Sequence, residues 1–84
     1  MKELNPKDFG LGSRVKLVEI APSHIGIVKK IKSRIIMKDG RKIMETAAKI
    51  TETSPSAKIS LIISGPICSK TRKYLADNGV EVIE

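Results

Sequence analysis

Eighty-four residues with 40% apolar and 30% charged side chains describe one folded domain, too short for a second core and too apolar for a disordered tail. Sixteen Lys and Arg against nine Asp and Glu leave a net charge of +7, which favours nucleic acid, an anionic surface or an acidic protein as partner. The single Cys68 excludes an internal disulfide, and with Phe9 and Tyr74 the only aromatic residues the core must be aliphatic.

Residues 1–13 contain Pro6, Gly10 and Gly12 and read as a loosely structured lead-in from which Phe9 and Leu11 dock on a single domain spanning 14–84. The β-rich run from Arg14 to Ile20 is a predicted strand, closed by the turn signal Ala21-Pro22-Ser23. Ile25 to Ile31 and Arg34 to Lys38 are predicted as two further strands joined tightly at Lys32-Ser33, with Asp39-Gly40 as a sharp turn after them. The apolar period then lengthens: Ile43, Met44, Ala47, Ala48, Ile50 and Thr51 share a side of a helix over about 41–53, with Asp39 as its cap and Pro55 closing it. Lys58 to Ser64 is a nearly continuous apolar strand of the kind covered on both faces. A second helix opens at Ser64-Gly65-Pro66 and stops at Asn78-Gly79, before a short last strand, Val80 to Ile83. The fold class is therefore α/β (α+β): three strands followed by α-β-α-β, in a small mixed sheet with two helices.

Nearly all the excess charge falls between residues 29 and 42, where Lys29, Lys30, Lys32, Arg34, Lys38, Arg41 and Lys42 are opposed by Asp39 alone. On a hairpin these long side chains share an outer face, the arrangement a phosphate backbone requires. The segment holds no aromatic residue on which bases could stack, so contact with the backbone or shape of structured RNA or a ribonucleoprotein is expected, RNA before DNA. Docking on an acidic protein surface of a larger complex is the alternative. Lysines that blunt a sheet edge, and the charge-rich surface of thermophile-like compositions, account for the same residues without a ligand.

A second candidate lies at the predicted strand-to-helix turn, where α/β sheets place ligands and free helix amides attract anions. Ser64, Gly65, Cys68, Ser69, Lys70, Thr71 and Arg72 would form an anion site there, the neighbouring cations lowering the Cys68 thiol pKa, with a packing role for Cys68 as the alternative reading. Cys68 through Val80 resembles the segment after the active cysteine of glutaredoxin-like and arsenate-reductase-like proteins. It departs from them in lacking a second cysteine and in the order of upstream elements. The Gly-x-x-Arg-Val-Lys-Leu and Ile-Gly-Ile-Val-Lys-Lys runs within 10–42 resemble a small SH3-like or KOW-type barrel, and no residue role follows from either likeness. His24 stands alone in a turn, the acids form no pair, and no glycine-rich phosphate loop is present, so a module without catalysis, metal or cofactor is expected. With no apolar run of membrane-spanning length and no leader-like amino terminus, the expected setting is cytoplasmic and away from membranes.

Overall fold

In the computed structural model, which describes residues 2–84, Pro22-Ser23 closes a tight hairpin between two six-residue strands, Lys16–Ala21 and His24–Lys29. Ser23 adopts a φ of +60°, a left-handed conformation in a non-glycine residue. A three-residue strand, Lys2–Leu4, pairs antiparallel with the first of these, so the three strands are β1 (Lys2–Leu4), β2 (Lys16–Ala21) and β3 (His24–Lys29) in chain order. They are followed by α1 (Met37–Thr53), β4 (Lys58–Ile63), α2 (Ser69–Asp77) and β5 (Val80–Ile83). The spatial strand order is β1-β2-β3-β4-β5, antiparallel through β3 and parallel from β3 to β5.

The small mixed sheet with two helices is as expected, but two segments differ from their sequence reading. The amino-terminal lead-in carries β1 and a short 3-10 helix, Pro6–Phe9, and its Leu4, Phe9 and Leu11 pack against the core. The expected strand from Arg34 to Lys38 does not form. Residues 30–36 are a loop in which only Ile35 makes a bridge, to Ile67. The helix begins at Met37 because the Asp39 carboxylate accepts the Ile36 N–H at 3.1 Å, satisfying a donor at the start of the helix from its third position.

Alternation sorts each strand into two faces. Leu17, Ile25, Ile27, Ile59, Leu61, Ile63 and Val80 lie beneath α1 and α2, where Ile43, Ala47, Ile50 and Leu75 meet them in one aliphatic core. Each Ile or Leu buried there contributes roughly 1.5–3 kcal/mol. The two helices pack against each other on this face, and the approach is close at Gly40: a Cβ there would lie 2.9 Å from the Thr71 methyl. The opposite face of the sheet carries Val18, Ile20, Val28, Ile62 and Ile83, with Val18, Ile20 and Ile62 closing over Gly26, and α1 and α2 both lie on the other side. No helix in the described residues is long and apolar enough to cross a membrane.

Candidate functional site

Parallel strands deliver their following loops to the same end of a sheet, and β3 and β4 end level, Lys29 beside Ile63. The loops at 30–36 and 64–68 therefore leave side by side. They are fastened together by Ile35 N–H to the Pro66 carbonyl at 3.0 Å and Cys68 N–H to the Ile35 carbonyl at 2.9 Å. Gly65 permits this contact, since a Cβ there would fall 2.2 Å from the Ile31 carbonyl oxygen. The two candidate regions, separate in the sequence, are neighbours at the carboxyl ends of the parallel strands, the position where such sheets bind ligands.

The hairpin expected to gather the seven cations is absent, and their placement follows the loop and helix instead. Lys29 closes β3; Lys30, Lys32 and Arg34 stand exposed on the loop; Lys38 lies in the first turn of α1 and Arg41 and Lys42 just beyond it. Lys38 and Lys42 fall in one i, i+4 row with Thr46. Arg41 points from the outer surface of α1, opposite the buried Gly40 and Ile43 stripe.

Two cations that the sequence reading overlooked join this end. Antiparallel pairing sets Lys16 opposite Val28, which brings Arg14 and Lys16 beside Lys29 and Lys30. These four line a depression of about 310 Å³ with Val15, Ile31 and Thr46. The signal was available: a two-residue turn at Pro22-Ser23 pairs the start of one strand with the end of the next. Among the described residues, ion pairs engage Lys58, Arg72 and Lys73 only, so Arg14, Lys16, Lys30, Lys32, Arg34, Lys38 and Lys70 keep uncompensated charge.

At the second loop the structure moves the helix start from Pro66 to Ser69, so Cys68 is the residue capping α2 rather than one inside its first turn. Its partly exposed sulfur lies near the backbone N–H groups of Lys70 and Thr71 without making a capping hydrogen bond to either. Those amides are the main cause holding the thiol pKa below its ordinary value, reinforced by the Thr71 hydroxyl and the Arg34 charge and opposed by partial burial. Ser64 and Ser69 are exposed, Gly65 is wedged against the first loop, and Thr71 is fully buried. Arg72 turns away to Glu84 at 2.6 Å and is not a free cation.

His24, expected to stand alone in a turn, opens β3 and shares a 2.7 Å hydrogen bond between its Nε2 and the Ser60 hydroxyl. A nucleophile and base at this distance invite a catalytic reading, but Ser60 is fully buried beneath its neighbours on the open sheet face. The pair satisfies a polar group in the sheet.

The fold and this surface define a small basic α+β domain with cations massed at one sheet end. Comparison with protein-family models, curated proteins and solved structures finds no match to this chain.

Proposed function

We propose that this domain is a non-enzymatic module that holds the phosphate backbone of nucleic acid, structured RNA or a ribonucleoprotein in particular, against the cation-rich end of its sheet. The observation that carries the reading is the convergence of Arg14, Lys16, Lys29 and Lys30 on one depression, continued by Lys32, Arg34, Lys38, Lys42 and Lys70. Each phosphate neutralised there releases condensed counterions, so affinity rests on the number of cations in reach rather than on base identity. The lack of stacking aromatics supports backbone contact: Tyr74 lies half-buried beside Gly40 and Phe9 packs against the core with the amino-terminal segment.

The test is a titration of labelled RNA hairpin, duplex DNA and single strand by fluorescence anisotropy across a salt series. If about four phosphates are neutralised, the logarithm of the association constant falls with the logarithm of salt at a slope near −0.9 per contact, or about −3.6 overall. The double variant Lys29→Glu/Lys30→Glu abolishes binding, and Arg14→Glu weakens it without altering preference among sequences. Binding that ignores ionic strength, or survives the double variant, removes the proposal. Recovery of one acidic protein with no nucleic acid would transfer the same surface to a protein partner.

A further inference from the structure

Among the described residues Ile36 is the one large apolar side chain left exposed, at 48%. It stands immediately before the first turn of α1, where Ser, Thr, Asp and Asn are preferred because their side chains bond a free amide; the isoleucine makes no such bond. The position is rigid. The Ile36 N–H donates to the Asp39 carboxylate and its carbonyl accepts from Gly40 N–H at 3.0 Å, while Ile35 beside it is 0% exposed and bonded through both its N–H and its carbonyl to the 64–68 loop. Alternation about the buried Ile35 turns Arg34 and Ile36 outward, and the exposed Lys38 follows in the first turn, so the isoleucine stands among cations that form no ion pair. A residue chosen for the fold alone would be polar here, capping the helix and leaving no apolar surface in water.

We propose that Ile36 is an apolar wedge that enters helical RNA at a step already opened by a bulged or mismatched base, with Lys32, Arg34 and Lys38 on the flanking phosphates. The inference rests on the RNA reading of the same sheet end and adds what that reading lacks, a contact to the bases. Aliphatic side chains inserted between base steps grip a nucleic acid without reading its sequence, and they need no aromatic residue. Magnitude selects the target. Burying the exposed half of one isoleucine gains less than unstacking an intact step costs, so a perfect helix keeps the side chain out; where a bulge or mismatch has already separated the bases, the gain is retained. An anionic membrane would use the same pairing of cations with an aliphatic tip, but a single exposed isoleucine offers little of the apolar area on which interfacial anchoring depends.

The experiment measures the affinity of the full chain, by fluorescence anisotropy, for one RNA hairpin in three forms: fully paired, with a single-nucleotide bulge, and with a mismatch. The parent should prefer the two opened forms by about tenfold, the value of burying half an isoleucine. Ile36→Leu should keep that preference. Ile36→Ser should bring it close to one while raising the urea midpoint through a better cap, so that the loss is not one of folding. In carbon-labelled protein the Ile36 δ1 methyl resonance should move upfield on the bulged hairpin, through the ring currents of the bases, and stay in place on the paired one. Equal affinity of the parent for paired and opened hairpins, an Ile36→Ser variant that keeps the preference, or an unmoved methyl overturns the wedge and leaves the salt-dependent phosphate contact standing. Absence of salt-dependent binding to any form overturns both readings. Ile36-dependent binding to phosphatidylserine vesicles, with no effect of Ile36→Ser on RNA, would assign the residue to a membrane and likewise overturn the wedge.

Discussion

Replacing Gly65 by alanine places one methyl group where the two loops meet. Its carbon would lie 2.2 Å from the Ile31 carbonyl oxygen, and that obstacle is backbone rather than a flexible side chain. Relief requires the loops to part by about 1 Å, enough to spoil the bonds from Ile35 N–H to Pro66 and from Cys68 N–H to Ile35. Two hydrogen bonds at about 1 kcal/mol each, with about 1–3 kcal/mol of overpacking strain, make a loss of about 3–5 kcal/mol. A domain of this size has a total stability of about 4–13 kcal/mol, so the variant should be visibly destabilised in urea, with a midpoint far below that of the parent. Gly12→Ala is the control: a Cβ there meets nothing within 4 Å, and the change should stay within about 0.5 kcal/mol. The same displacement moves Lys30, Lys32 and Arg34, so RNA affinity should fall although no cation has been removed. Equal urea midpoints for the two alanine variants would refute the claim that the loops are held in contact.

Ser23→Gly should stabilise the domain by about 1 kcal/mol in thermal or urea unfolding, because it releases the left-handed strain of the β2–β3 turn without removing a side-chain hydrogen bond. Cys68 makes stability rise with pH: its folded pKa lies below the unfolded one, so between the two the unfolded chain binds more protons. The contribution is present above the unfolded thiol pKa and lost as pH falls through the folded one, and urea midpoints of Cys68→Ala should lack that slope. Lys70→Glu should stabilise the fold by about 0.3–1 kcal/mol through the α2 dipole while weakening RNA binding, read by urea unfolding and anisotropy on the same sample.

Much of the architecture was legible because it rests on patterns a chain cannot hide. Alternation in Lys16–Ala21, the apolar run Ile59–Ile63 and the Asn78-Gly79 stop all stand near where they were expected, with Gly79 at a φ of +83° after the Asn78 cap. The failure at 34–38 has a physical source. Arg34-Ile35-Ile36-Met37 has strand composition, but β3 already has β2 and β4 on its two edges, so the segment finds no ladder and contributes one bridge through Ile35. Asp39-Gly40 has turn composition, yet the carboxylate caps a helix and the glycine is the small residue that lets α2 approach. The candidate site was half legible for the same reason. Charge density along the chain pointed to 29–42, whereas Arg14 and Lys16 join it only through strand pairing, and Arg72 leaves it through Glu84 at the end of the chain.

The charge on α2 runs against its own dipole, and that on α1 is mixed. The first turn of α2 has no acid and carries Lys70, and Asp77 ends the same helix. In α1 Lys38 stands beside Asp39 in the first turn, and Glu52 lies in the last, which has no basic residue. Stability alone favours the reverse, acids where the amides point and bases where the carbonyls point, each worth a few tenths of a kcal/mol upward. Lys32 and Arg34 on the adjoining loop, and Arg14, Lys16 and Lys30 around the depression beside Thr46, are answered by no ion pair among the described residues. An arrangement meant only to keep a Lys-rich surface hydrated would disperse these side chains or pair them. Beside the start of α2, where the free amides already make the potential positive, Arg34 and Lys70 would gain an electrostatic partner if a phosphate docked there, which supports the proposed backbone contact.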